Sequence, residues 1–177
     1  ISFLGGPNLL NILTKKNENV IVSVRGYASL EPRDIYGYVG KYLMKKTYNK
    51  ADKIVSVSKL MEEDIIRKYN LDKDRVLTIY NPYNLQTIIQ DSQDMIEEKY
   101  EHIFKDDVII TVGRLTDAKG HWHLIRAFSK VSQTNKNAKL VILGDGELKE
   151  YLQELITELK LEEYVYLLGF KNNPYKY

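Results

Sequence analysis

Residues 107–120 have the sequence DVIITVGRLTDAKG and decide the fold of the second half of the chain. The apolar run at 107–112 is typical of a buried strand, and the apolar spacing after Gly120 is typical of an amphipathic helix. A glycine turn with two cations, Arg114 and Lys119, therefore lies where a strand leads into a helix N-terminus. Backbone amides and the helix dipole favour an anion there, so we predict a phosphate or diphosphate site.

The same alternation of short apolar runs and amphipathic segments extends along the chain. Strands are predicted at 1–4, 20–24, 53–58, 75–80, 107–112, 139–143 and 164–168. Helices are predicted at 33–49, 59–69, 120–132 and 148–160. Such alternation indicates an α/β fold with parallel sheets covered on both faces. The polar stretch 85–105 interrupts this alternation, and we interpret it as a linker with one helix between two Rossmann-like units, 1–84 and 106–177.

The overall composition excludes several classes of protein. Of 177 residues, 44% are hydrophobic and 28% are charged, as in ordinary soluble domains. Cysteine is absent, so neither a disulfide framework nor a cysteine metal site is expected, and a net charge of +2 is too small to indicate nucleic acid as a partner. No apolar run approaches the ~20 residues that span a bilayer.

Because the sequence begins at Ile1 and stops where a further helix is predicted, we expect a piece of a longer protein.

Three glycines follow the three predicted strands of the second unit. Gly113, Gly144 and Gly169 all lie at carboxyl ends, which is where open α/β sheets bind ligands. Gly144 allows either close backbone approach to a nucleotide or a turn with positive φ. For Gly169 the alternative is a strand-ending glycine followed by a core Phe170. The shared position of the three glycines favours a binding site.

The second unit resembles the nucleotide-sugar-binding domain of family 4 (group 1) glycosyltransferases, which have the GT-B fold. The resemblance rests on GRL at 113–115, KG at 119–120, LIRAF at 124–128, LVILGDG at 140–146 and YLLGF at 166–170. The first unit resembles the end of the acceptor-side domain of the same family, through VSVSK at 55–59 and IYNP at 79–82. The resemblance therefore implies an incomplete GT-B architecture.

The resemblance implies a retaining, metal-independent transfer of a sugar from a nucleotide-diphosphate donor, with no further cofactor. Arg114 and Lys119 would hold the donor diphosphate, and Gly113 would let its backbone approach closely. Two fixed cations would stabilise the negative charge of the departing diphosphate. The nucleotide-binding candidates are Gly144, Gly169, Phe170 and Lys171. The alternative for Arg114 and Lys119 is that both are solvated basic residues near a turn.

The resemblance also implies a spaced pair of glutamates that contacts the donor sugar. The family pattern puts this pair beyond Tyr177, so we expect the longer protein to be the enzyme and this chain alone to be inactive. Two alternatives stay open. One is a non-catalytic nucleotide-sugar-binding or accessory protein, and the other is a different GT-B enzyme such as a sugar epimerase or phosphorylase.

Candidate acceptor-side residues lie in the first unit. Arg25 follows the strand at 20–24, although a salt bridge or a solvated arginine is the alternative. Ser58 lies at a strand-to-helix junction, where it would more commonly cap the helix. The resemblance implies a glycan or lipid-linked acceptor and a cytoplasmic location.

The helix at 33–49 carries Lys41, Lys45 and Lys46, which makes peripheral contact with the inner face of the membrane a further hypothesis. The alternative is a helix that packs on its sheet with its lysines in water.

The histidines around Trp122 form no predicted metal site. His121 and His123 are two residues apart, and side chains so spaced on a helix do not face each other. We expect His121 to be a surface histidine, with a place beside the phosphate site as the alternative.

Overall fold

The computed structural model describes the backbone of residues 1–27 and 35–177, with side chains from residue 38 onward in the second range. It divides the chain into two compact units, 1–83 and 84–177. The strands are β1 Ser2–Phe3, β2 Ile21–Val24, β3 Lys53–Ser56, β4 Val76–Thr78, β5 Asp107–Val112, β6 Ala138–Leu143 and β7 Val165–Gly169. The helices are α1 Gly5–Leu13, α2 Ile35–Thr47, α3 Lys59–Tyr69, α4 Leu85–Asp91, α5 Glu98–Glu101, α6 His121–Thr134 and α7 Lys149–Glu158.

The first unit contains a parallel sheet in the order β1-β2-β3-β4. Its core includes Val22, Ile54 and Ile65, which are fully buried between the sheet and its helices. The α3 helix has the predicted bounds because Ser58 accepts a hydrogen bond from the Met61 amide at its start. Asn70 ends the helix in the left-handed conformation, with φ of 53°. The predicted helix start at Arg33 lies outside the described residues.

The second unit contains a parallel sheet in the order β5-β6-β7, with β6 in the centre. Leu140 and Ile142 of β6 pack against α6 and α7, whereas Val141 and Leu143 pack on the other face with Ile103. Both faces of β6 are therefore covered, as the apolar pattern predicts. The parallel α/β class is confirmed in both units.

The prediction that β5 is a buried strand is wrong. Ile109 is 44% exposed and Val112 is 60% exposed. Among the described strands β5 pairs only with β6, so it is an edge strand and its side chains lack the neighbours that surround β6. An apolar sequence predicted the strand correctly, but its position in the sheet determines how far it is buried.

The stretch expected to be a linker folds with the second unit. It contains α4 and α5, and Ile103 is buried on β6 in the same cluster as Val141. The acceptor-side and donor-side roles of the two units remain predictions.

Backbone hydrogen bonds join the carboxyl ends of the three strands of the second unit. The Gly113 amide donates to the Leu143 carbonyl, and the Gly144 amide donates to the Gly169 carbonyl, both at 2.9 Å. Gly144 has φ of 145°, and a Cβ there would lie 1.9 Å from the Gly113 carbonyl oxygen. A glycine is therefore required at 144 by the approach of two backbones. Gly169 also has positive φ, at 75°, but the space around it is open.

A cluster around Glu97 fixes the last residues of the chain. The Tyr177 hydroxyl donates to Glu97, and the ammonium groups of Lys171 and Lys176 lie 3.5 and 3.3 Å from its carboxylate. The hydrogen bond from Tyr177, followed by the Glu97 backbone and the lysines, lowers the pKa of Glu97 from 4.5 to about 2. Beside this cluster, the side-chain amide of Asn173 donates to the backbone carbonyl of Asp91 at 2.7 Å.

Replacing Gly144 and Gly169, which both have positive φ, tests the approach of the backbones. Gly169→Ala should cost about 1–2 kcal/mol because only left-handed strain is added. Gly144→Ala adds strain and a clash with a carbonyl, so it should cost about 2–5 kcal/mol. Urea unfolding followed by the fluorescence of Trp122, the one tryptophan, reports the second unit. Equal losses for the two variants would contradict this account.

The Glu97 cluster predicts a dependence of stability on pH. Because folding lowers the pKa of Glu97, its contribution is present above about pH 4.5 and is lost as pH falls toward 2. Glu97→Gln should therefore be less stable than the parent at pH 6, and the difference should shrink below pH 4.5. Glu154→Gln, at an exposed position on α7, is the control and should match the parent. A difference that is constant from pH 6 to pH 3 would show that the carboxylate is not the cause.

Candidate functional site

The candidate nucleotide site is a cavity of about 490 Å³ at the carboxyl ends of β5, β6 and β7. Its lining comes from residues 112–114, 143–145 and 170–172, with Pro174 and Tyr175. The structure therefore brings Gly113, Arg114, Gly144, Phe170 and Lys171, which come from three distant stretches of the sequence, to one cavity. Gly169 is not part of this lining.

Arg114 and Lys119 both lie near Gly113. Arg114 follows Gly113 directly and lines the cavity, whereas the Cδ of Lys119 lies 3.8 Å from the position that a Cβ on Gly113 would take. Both side chains are exposed. Within residues 1–27 and 35–177 neither cation is recorded in a hydrogen bond or an ion pair with the protein. Two positive charges without a partner among the described residues therefore lie in the segment that joins β5 to α6.

Phe170 and Lys171 line the cavity in different ways. Phe170 is 72% exposed, so the alternative that it is a core residue is wrong. Phe170 comes directly after the end of β7, and its exposed ring lies at the cavity. The Lys171 ammonium is 3.4 Å from the Tyr100 hydroxyl and pairs with Glu97, so its charge is already compensated. The role of Lys171 as a nucleotide contact stays a prediction.

The acceptor-side candidates do not lie in one place in the first unit. Arg25 donates to the Asn81 side-chain oxygen at 2.7 Å and lines a cavity of about 270 Å³ that also contains Asn8 and Tyr27. Ser58 is not part of that lining and caps α3 instead. Their proposed contacts with an acceptor stay predictions.

The expectation that His121 is a surface histidine is wrong. His121 is 4% exposed at the first position of α6. His123 is exposed and stacks on Trp122 with ring centroids 3.3 Å apart. The described part of the chain contains no group of three or more His, Asp or Glu side chains placed to bind a metal.

The α2 helix exposes large side chains beside its lysines. Tyr38, Val39 and Tyr42 are all more than half exposed, and Lys45 and Lys46 are exposed in the last turn. Met44 packs against the core of the first unit. Among the helices that the structure describes, none is both long and apolar enough to cross a bilayer.

Several residues of this region were not predicted from the sequence. Asp145 and Asn172 both line the cavity. In the sequence, the glycines on either side of Asp145 indicate a turn at that position, and no pattern indicates a role for Asn172. Glu97 contacts Lys171 and Tyr177 from more than seventy positions away, so no local pattern could identify it.

Both halves of the chain match families of glycosyltransferases. Residues 3–87 match the family described as Glycosyltransferase Family 4, and residues 92–177 match Glycosyl transferases group 1. Together the two matches span nearly the whole chain.

Two relatives show the same similarity. An uncharacterized glycosyltransferase of Methanocaldococcus jannaschii is 43% identical over 75% of this chain and 33% of its own length. A Campylobacter jejuni protein named as an N-acetylgalactosamine-N,N'-diacetylbacillosaminyl-diphospho-undecaprenol 4-alpha-N-acetylgalactosaminyltransferase is 42% identical over 78% of this chain and 36% of its own length. The chain thus spans about a third of the length of these relatives.

The fold is also that of known glycosyltransferase structures. HepE of Anabaena, solved in complex with UDP-glucose, aligns with a TM-score of 0.66 and 19% identity over 88% of this chain and 43% of that chain. At this identity the likeness concerns the fold. With nearly its whole length matched and two parallel-sheet units of the same fold, the chain belongs to the group 1, family 4 glycosyltransferases of GT-B architecture.

Proposed function

We propose that the longer protein transfers a sugar from a nucleotide-diphosphate donor to an acceptor, and that this chain supplies the diphosphate half of the donor site. The observation that carries the proposal is the pair of uncompensated cations, Arg114 and Lys119, beside a cavity at three strand ends. The names of the relatives and the UDP-glucose in HepE support this substrate class.

The charges suit the chemistry of glycosyl transfer. Cleavage of the bond between sugar and phosphate leaves negative charge on the nucleoside diphosphate. Arg114, Lys119 and the N-terminus of α6 would stabilise this charge as it develops. With these two cations beside the diphosphate, the transfer reaction would need no metal ion. Retention of configuration at the sugar is proposed from the family.

The acceptor is proposed to be a glycan or a lipid-linked sugar that binds through the first unit. The Campylobacter relative has a diphospho-undecaprenol acceptor in its name. The exposed Tyr38 and Tyr42 beside Lys45 and Lys46 support a cytoplasmic protein that contacts the inner face of the membrane. A polysaccharide or another envelope glycan is the proposed product class.

Calorimetric titration of UDP and GDP tests the diphosphate site. Arg114→Ala and Lys119→Ala each remove a charge-assisted contact worth about 1.5–3 kcal/mol, so each should raise Kd by roughly ten-fold to more than one hundred-fold. Lys130→Ala removes an exposed cation from α6 away from its N-terminus and should leave Kd unchanged. Parent-like binding by both Arg114→Ala and Lys119→Ala would disprove the assignment.

A donor screen on the longer protein tests the transfer reaction. We expect sugar transfer from one nucleotide-diphosphate sugar, unaffected by EDTA, with the anomeric configuration of the donor retained in the NMR spectrum of the product. Arg114→Ala should lower kcat more than it raises KM, because the leaving diphosphate gains charge in the transition state. Complete loss of activity in EDTA, restored by a divalent ion, would contradict the proposed chemistry.

A further inference from the structure

His121 carries a buried polar atom without a partner. Its side chain is 4% exposed, and its Nε2 has no hydrogen-bond partner among the described residues. Leaving a buried donor or acceptor unsatisfied commonly costs about 1–3 kcal/mol, so such atoms are rare in folded proteins. An unsatisfied nitrogen at a strand-to-helix junction therefore needs an explanation.

The imidazole lies beside the place that a side chain at Gly113 would take. A Cβ on Gly113 would lie 3.5 Å from the His121 Nε2 and 3.7 Å from its Cε1, and 3.8 Å from the Cδ of Lys119. The imidazole edge and the lysine stem therefore both lie within van der Waals distance of that position. His121 thus shares a small region with a residue that also lines the nucleotide cavity.

The electrostatic surroundings of His121 favour an anion. His121 is the first residue of the 14-residue helix α6, and the helix dipole is positive at that end. The Lys119 stem passes the same space, so the local field would oppose a metal ion. Both the imidazolium and the Nε2–H tautomer of histidine donate a hydrogen bond from Nε2.

We propose that His121 is a binding residue for the donor diphosphate, donating a hydrogen bond from Nε2 to a non-bridging phosphate oxygen held next to Gly113. This inference rests on the proposed donor site and extends it. Arg114 and Lys119 supply charge from exposed positions, whereas His121 supplies one donor with a fixed direction from a buried position. Its role is to fix where the phosphate lies.

Matched substitutions test the inference with UDP and GDP as probes. His121→Leu removes the donor and should weaken binding roughly ten-fold or more, as expected for a hydrogen bond to a charged group. His121→Gln can present an amide N–H near the Nε2 position and should retain most of the affinity. His123→Leu changes the exposed histidine of the same helix and should bind like the parent.

Gly113→Ala provides a variant that leaves the histidine in place. The added methyl would make an ordinary contact of 3.5 Å with Nε2, so the fold can accept it, but it fills the space that the phosphate oxygen needs. This variant should therefore melt like the parent and lose affinity for the nucleotide. In the parent, the NMR resonance of the His121 Nε2 should shift when the nucleotide is added.

The outcomes separate this inference from the proposed function. If Arg114→Ala weakens binding while a folded His121→Leu and Gly113→Ala bind like the parent, the His121 contact is wrong and the diphosphate site stands. An unshifted Nε2 resonance at saturating nucleotide would also overturn the contact. If the parent binds neither UDP nor GDP, both the proposed donor site and the proposed role of His121 are wrong.

Discussion

The close approach of two loops in the second unit is the constraint on which its site depends. Gly144 lies against the Gly113 carbonyl, and the Leu115 amide donates to the Asp145 carbonyl at 3.0 Å. The Leu115 carbonyl in turn accepts from the Leu148 amide just before α7. These backbone hydrogen bonds fix the end of β5 and the start of α7. They also fix the backbone position from which the Arg114 side chain extends.

Local signals in the sequence predicted the elements that depend on local chemistry. The bounds of α3 followed from a serine cap and an asparagine stop, and β5 followed from its apolar run. The convergence of Gly113 and Gly144 could also be predicted, because parallel strands bring their carboxyl ends to one edge of a sheet. These predictions needed only the order of the elements.

Properties that depend on distant neighbours could not be predicted in this way. The exposure of β5 depends on its edge position, and His121 is buried in a fold that brings it beside Gly113, eight positions earlier. The partnership of Glu97 with Lys171 joins residues with no shared periodicity. The sequence shows that Lys171 is a cation but cannot show that its charge is already compensated, unlike those of Arg114 and Lys119.

The edge position of β5 has a consequence for handling the protein. Such a strand presents unpaired backbone amides and carbonyls, and here it also carries exposed isoleucine and valine side chains. Another chain can pair along an edge of this kind, which is the usual route by which sheet proteins aggregate. Concentrated solutions of these 177 residues would therefore associate through β5 unless that edge is covered, for example by added charge at Ile109.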